Sequence, residues 1–360
     1  MSLDSGYNPG FSRTWKQPRL SSLVLPAGVF VISLILTGLL RALALRIRIL
    51  DVPVDRSAHS APTPVGGGAA IVLLSAASAL YFYADGTLPH SIFMALLGAY
   101  VVAFLGFIDD LRSIHAKWRV PLHIAAAIWS VAWLGDVAPI DFGLVSINSQ
   151  WILQPLAVVA LVWLLNLYNF MDGIDGIAGS ELVCVNLVSL FFVINSTDYS
   201  VTQIIMVLGA ASAGFLAWNW EPARIFMGDV GSGFSGFMLG LLALITMQQG
   251  SMTVWSWLIL LGVFVVDATI TLLRRFLVGE RWYDGHTSHA YQHAARHYKS
   301  HGKVTITVVL INICWLTPWS VASVVFPKLG FFLSLFALGP LVMLALKFDA
   351  GKSGQFAMTD

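Results

Sequence analysis

Long apolar blocks separated by short polar ones run through the whole chain. The blocks cover residues 23–45, 66–83, 92–108, 120–135, 151–168, 176–195, 201–218, 234–248, 254–276, 304–325 and 329–346. Most reach the roughly 17–25 residues that cross about 30 Å of hydrocarbon. The pattern predicts an all-α, polytopic membrane protein of about eleven transmembrane helices. The gaps after 83, 195, 248 and 325 read as brief turns. The chain shows no internal repeat of the inverted-transporter kind and no low-complexity linker. The organisation expected is a polar tail over 1–22, one transmembrane domain over 23–347 and a C-terminal tail over 348–360. A solvated end is the default after Lys347.

Composition agrees with that class. Hydrophobic residues make up 57% of the 360 positions and charged residues 11%, against about 25% charged in a soluble domain. The net charge of +1 gives no reason to expect a nucleic-acid partner. Cys184 and Cys314 both fall inside apolar blocks, which argues against a disulfide framework or a zinc site. About 22 polar residues precede the first block and no small-residue cleavage site follows it, so a signal peptide is not expected.

Charge placement gives the orientation. Of the 20 Lys and Arg, only Arg13, Lys16, Arg19 and Lys328 fall on one side when the loops are alternated. The richly basic side is therefore read as cytoplasmic, with the N-terminal cations as the one contradiction. The loops at 46–65, 109–119, 169–175, 219–233 and 277–303 all fall there, and they hold nearly all the Asp, His, Asn and Gly-rich signals. Chemistry on one face favours an enzyme with a cytosolic substrate over a transporter, whose site should lie near the midplane. A transporter or flippase of a charged lipid or nucleotide-sugar, suggested by the intramembrane Asp267, is the alternative class. For Asp267 itself, a structural pairing with Arg274 or a backbone carbonyl is expected.

Each loop has its own chemistry. The first, with Asp51, Arg56, His59 and Gly66–Gly68, reads as turn residues that allow close approach of the backbone. In the second, the adjacent Asp109 and Asp110 suit a general base or a metal-linked diphosphate site, or equally a solvated helix end partnered by Lys117 and Arg119. The third is the most specific. Asn166, Asn169, Asp172 and Asp175 recur every three residues, and Gly173 and Gly176 loosen the helix so that they converge. In the fourth, Asp229 sits among glycines at a helix start, where free N–H groups take phosphate oxygens; Asn219 and Phe226 precede it. The fifth carries Arg274, Arg275, Arg281, His286, His289 and Arg296, a cradle for pyrophosphate. Together these suit transfer of a phosphoryl-linked group from a nucleotide to a lipid acceptor.

From about Asp51 to Gln292, five motifs in order resemble the polyprenyl-phosphate N-acetylhexosamine-1-phosphate transferases: Asp51–Gly67, Asp109-Asp110, Asn166–Gly176, Phe226–Ser232 and His286–His289. The resemblance implies Mg²⁺, for which Mn²⁺ can substitute, and transfer from a UDP-N-acetylhexosamine to undecaprenyl phosphate with release of UMP. It implies Asn169 and Asp229 as metal-site residues and Asp109, Asp110 and Asp229 as the catalytic group. Asp172, Asp175, Asn219 and Phe226 would bind the nucleotide. His286, His289, Lys117, Arg119 and Arg281 would bind phosphate or sugar. It also implies a bacterial inner-membrane location, contact with membrane lipid and a homodimer. Direct attack by the lipid phosphate and a covalent carboxylate intermediate both stay open. Two departures narrow the branch. Ser113 stands where the peptidoglycan branch has a lysine, and Ser288 replaces the middle histidine of His-x-His-His. The pattern His286-Thr-Ser-His289 looks like enzymes that initiate O-antigen with 6-deoxy-N-acetylhexosamines, while N-acetylglucosamine is the competing donor.

Overall fold

The computed structural model of the chain describes residues 21–51, 62–194, 199–280 and 287–352. Their helices are α1 (Ser21–Ile47), α2 (Ala69–Ala84), α3 (His90–Leu111), α4 (Ala116–Leu134), α5 (Gln150–Met171), α6 (Ile177–Val193) and α7 (Tyr199–Asn219). After these come α8 (Asp229–Gln248), α9 (Val254–Leu260), α10 (Gly262–Leu277), α11 (Ala290–Tyr298) and α12 (His301–Leu310). A π-helical turn (Ile311–Leu316) joins α12 to α13 (Thr317–Val325), and α14 (Gly330–Lys347) closes the bundle. Two antiparallel pairs complete it: β1 (Leu50–Asp51) with β2 (Thr63–Pro64), and β3 (Ile140–Asp141) with β4 (Ser146–Ile147).

The all-α reading holds, and a helix lies at each apolar block. Length and composition support a smaller number of spans than eleven. Among the described residues 7 helices are long and apolar enough to cross a membrane, or up to 8 if the bent pair α9–α10 is one span. The 16 residues of α2 reach only about 24 Å at 1.5 Å per residue, short of the hydrocarbon thickness. The block read as 254–276 is broken at Leu261, and its two helices meet at 79°.

The centre of the bundle is α8, of whose span 83% is buried. Its sequence explains this position. A Cβ at Gly236 would stand 2.7 Å from the Tyr168 Cβ, and one at Gly240 would stand 2.7 Å from Leu161 Cδ2, so the missing side chains let α5 lie directly on α8. On the other flank, a Cβ at Gly106 of α3 would stand 2.7 Å from the backbone nitrogen of Val230. Helices α3 and α5 therefore converge on the first turn of α8, and they bring their polar ends with them.

Residues 348–352, just after Lys347, are not the solvated end expected there. Ala350 is fully buried, and its carbonyl accepts from Arg274 Nη1 at 2.7 Å. The Gly351 N–H donates to the Ser288 carbonyl at 2.7 Å. The chain after α14 is thus tied back to α10 and to the start of α11.

Candidate active site

The first turn of a helix has N–H groups without intrahelical partners. At α8 they are met from another helix: Asp110, at the end of α3, accepts from the Asp229 N–H at 2.8 Å and from the Val230 N–H at 3.1 Å. Its negative charge lies at the positive end of the helix dipole, where it stabilises. Gly228 enters this turn at φ 77, and a Cβ there would stand 2.6 Å from Asp110 Oδ2. A glycine at 228 thus meets two demands at once. Asp110 acts as a remote cap that fixes where Asp229 stands.

The Asp229 side chain is held separately. Its Oδ1 accepts from Asn169 Nδ2 at 2.6 Å, and the same nitrogen donates to Ser232 Oγ at 2.9 Å. Its Oδ2 lies 3.4 Å from Arg119 Nη1. Arg119 also pairs closely with Asp109, whose carboxylate accepts from the Ile114 N–H. Asp109 is buried, while the Asp229 side chain keeps 36% of its exposure. Four of the expected residues, Asp109, Asp110, Asn169 and Asp229, are therefore brought to one point, with Arg119 as their common cation. Ser232, one turn along α8, is a member that sequence reasoning missed; its one signal was its place on the Asp229 face.

Asp172 is the fourth carboxylate here. It is half-buried just past the end of α5, and no described residue hydrogen-bonds its carboxylate. Burial, and then the charges of Asp229, Asp110 and Asp175, push its pKa well above the ordinary carboxylate range. So many anions with one nearby guanidinium make a locus that attracts a cation. The oxygen donors suit a hard divalent ion. Among the described residues, however, no three His, Cys, Asp or Glu side chains are gathered to hold a metal by themselves. Asn169 turns its amide nitrogen to Asp229, which makes it an orienting donor in this geometry.

Other expected ligands have structural partners. Asn219 is buried; its Oδ1 accepts from the Gly176 N–H at 3.1 Å and its Nδ2 donates to the Ile225 carbonyl at 3.0 Å. It ties the third loop to the fourth. Asp175 does the same, accepting from the Ala223 N–H at 3.0 Å and lying 3.3 Å from His301 Nδ1. Asn166 folds back on its own helix, donating to the Val162 carbonyl at 2.7 Å. Phe226 is half-buried and its backbone joins the first loop, donating to the Pro64 carbonyl at 2.8 Å and accepting from the Gly67 N–H at 2.9 Å. The glycines of the first loop thus serve chain-to-chain approach. Lys117 is exposed, with its ammonium 5.9 Å from the centre of the Trp118 ring. Arg281 and His286, like Arg56 and His59, lie outside the described residues.

His289 is almost fully buried, and its Nδ1 lies 3.2 Å from Asp267 Oδ1. Asp267 also accepts from the Ala290 and Tyr291 N–H groups, both at 2.9 Å, and from Thr271 Oγ1 at 3.1 Å. The structural pairing expected for Asp267 is found with other partners: it caps α11 through the free N–H groups of that helix start, while Arg274 donates to the Ala350 carbonyl. Tyr291 then reaches the site, its hydroxyl donating to the Phe170 carbonyl at 3.0 Å. The fifth loop is thereby fastened to the third.

Residues 68–247, half of the chain, match the family model "Glycosyl transferase family 4". The chain belongs to that family. Every carboxylate of the cluster lies inside the matched segment, as do Asn169 and Arg119. Among its relatives is the "Probable undecaprenyl-phosphate N-acetylglucosaminyl 1-phosphate transferase" of Bacillus subtilis, 28% identical over 325 residues, 87% of this chain and 88% of the relative. Another, the "Decaprenyl-phosphate N-acetylglucosaminephosphotransferase" of Mycolicibacterium smegmatis, is 33% identical over 234 residues, 58% of this chain and 56% of the relative. The "Phospho-N-acetylmuramoyl-pentapeptide-transferase" of Thermotoga neapolitana is 31% identical over 203 residues, 54% and 64% of the two chains. The family expected from the five motifs is thus the one found.

Proposed function

We propose that this glycosyl transferase family 4 member transfers an N-acetylhexosamine-1-phosphate from a UDP-sugar to undecaprenyl phosphate. An acceptor phosphate oxygen becomes bonded to the β-phosphorus, and the bond from that phosphorus to the bridging oxygen breaks, releasing UMP. The observation that carries this reading is Asp229 at the start of α8, its side chain partly exposed, flanked by Asp109, Asp110 and Asp172. A partly exposed carboxylate among other carboxylates suits a phosphate chain that arrives with a divalent cation; the first-turn N–H groups of α8, already bonded to Asp110 and the Gly228 carbonyl, are not the phosphate site.

Asp172 and Asp229 are the residues that would hold Mg²⁺, which would neutralise charge on the diphosphate. Magnesium commonly takes one or two carboxylates and completes its shell with water and substrate phosphate. That habit accounts for a site without three protein ligands gathered in advance. Asn169 orients Asp229, and Arg119 balances Asp109 beside the incoming phosphates. The site would face the cytoplasm of a bacterial inner membrane, where UDP-sugars are found. The names of the relatives favour N-acetylglucosamine as donor, and the His286–His289 pattern favours a 6-deoxy-N-acetylhexosamine for O-antigen.

The test is UMP release by the purified protein across a panel of UDP-sugars, with and without undecaprenyl phosphate and Mg²⁺. Release that needs all three components supports the reading and names the donor. Movement of the lipid or nucleotide-sugar across vesicles without any UMP would replace it with the transporter reading.

A further inference from the structure

A second cavity lies away from the carboxylate cluster, between α10, α11, α12 and α14, with a volume of about 420 Å³. Its floor exists because small residues face it: Ala290 and Ala294 one turn apart on α11, and Ala345 on α14, all buried. Its open side carries exposed Lys303 at the start of α12, exposed Lys347 at the end of α14, and half-exposed Tyr298. Both lysines stand near the end of the bundle that bears the carboxylate cluster: His301 at the start of α12 lies 3.3 Å from Asp175, and Gly351 just past α14 donates to the Ser288 carbonyl beside α11, whose Tyr291 bonds the Phe170 carbonyl. The acid in the lining, Asp267, is already matched by His289 and two backbone N–H groups, so it does not oppose an anion at the lysines. None of Asp109, Asp110, Arg119, Asn169, Asp172 or Asp229 lines this cavity.

We propose that this groove binds an anionic glycerophospholipid of the surrounding membrane, with an acyl chain against the alanine floor and the phosphate between Lys303 and Lys347. An apolar slot between membrane helices with cations at one end has the form that anionic headgroups recognise. A zwitterionic lipid brings its own cation to the same place and is disfavoured. The occupant touches Tyr291, whose hydroxyl donates to Phe170, so it braces the helix that fastens the fifth loop to the site.

The full chain, purified in mild detergent, is offered phosphatidylglycerol and phosphatidylcholine of matched acyl chains, and bound lipid is counted by native mass spectrometry. This readout does not depend on transferase activity. Two lysines should favour phosphatidylglycerol by about tenfold or more. The Lys303→Gln/Lys347→Gln variant changes only exposed side chains and should lose that preference. Ala294→Phe, which fills the floor, should lose both lipids. Equal retention of the two lipids by the wild-type chain, or an undiminished preference in the double variant, overturns the proposal. Displacement of phosphatidylglycerol by one equivalent of undecaprenyl phosphate also overturns it, by giving the groove to the acceptor.

Discussion

The carboxylate of Asp110 accepts the backbone N–H of Asp229 at 2.8 Å, although 119 positions separate the two residues. One acid of the second loop thus sets the backbone of the acid that opens α8, while Asp229 keeps its own carboxylate for the open site. Their roles separate experimentally. Asp229→Ala should lower UMP release by about a hundredfold or more and leave the melting temperature near wild type, because it removes charge from a crowded cluster. Asp110→Ala should lower both, with a stability loss of about 1–2 kcal/mol, the usual cost of a lost helix cap. A wild-type melting curve for Asp110→Ala would dismiss the capping role.

The Asp172 carboxylate accepts no hydrogen bond among the described residues, and like charges surround it. Asp172→Asn should therefore raise the melting temperature of the metal-free protein and shrink the further rise that Mg²⁺ produces. Differential scanning fluorimetry with a Mg²⁺ titration checks both. An unchanged Mg²⁺ response in the variant would remove Asp172 from the cation site.

The approach of α3 to α8 is tested at Gly106. A methyl group there meets backbone, at 2.7 Å from the Val230 nitrogen, and backbone cannot rotate away. Gly106→Ala should cost about 1–3 kcal/mol of stability, as overpacking does, and should displace the Asp229 turn. The expected outcome is a lower melting temperature together with a lower kcat, measured on the same preparation.

Asn219 was expected to touch the nucleotide, yet both ends of its amide serve backbone groups. Asn219→Ala leaves a buried N–H and carbonyl unmatched, which costs about 1–3 kcal/mol. Stability should fall while KM for the UDP-sugar changes little in the fraction that remains folded. A rise in KM at wild-type stability would return Asn219 to the nucleotide site.

Glu221 gives a pH dependence. It accepts from the His301 N–H at 2.9 Å, the Gly302 N–H at 2.6 Å and Ser300 Oγ at 3.1 Å, and so caps α12. Partial burial pushes its pKa up, but the Gly302 and His301 N–H groups, the Ser300 hydroxyl and the His301 charge outweigh that and hold it below the usual value. A depressed carboxylate adds stability that is fully present above the unfolded pKa near ~4.3 and is lost as pH falls through the folded one. Glu221→Gln should flatten the acid side of the stability curve. Its cost at neutral pH should be about 1 kcal/mol, in line with other caps. Parallel acid limbs for the two proteins would refute the assignment.

Much of the site was legible in the chain. Asp109-Asp110, Asn169, Asp172 and Asp229 announce themselves because acids and amides at the ends of apolar blocks are costly unless something binds them. The loops that converge are also the ones that charge placement put on one face. What could not be read was the division of labour. Asp110 and Asp175 look like Asp109 and Asp172 in the sequence, but the first caps α8 and the second joins two loops to His301. The number of spans was less legible for a related reason: an apolar block marks burial, and among the described residues length and composition support 7 or up to 8 crossings.

Block length and polarity, which are local properties, determined by themselves that this chain is a bundle of apolar helices with its acids and amides at their ends. Only the tertiary structure decided which acids face the open site and which are bound to backbone. A helix start offers free N–H groups to whichever side chain packing brings within about 3 Å. For Asp229 that partner comes from α3, and for Ala290 and Tyr291 it comes from α10. Spacing along a chain carries no record of such meetings, because they are made by helices that are neighbours only after folding.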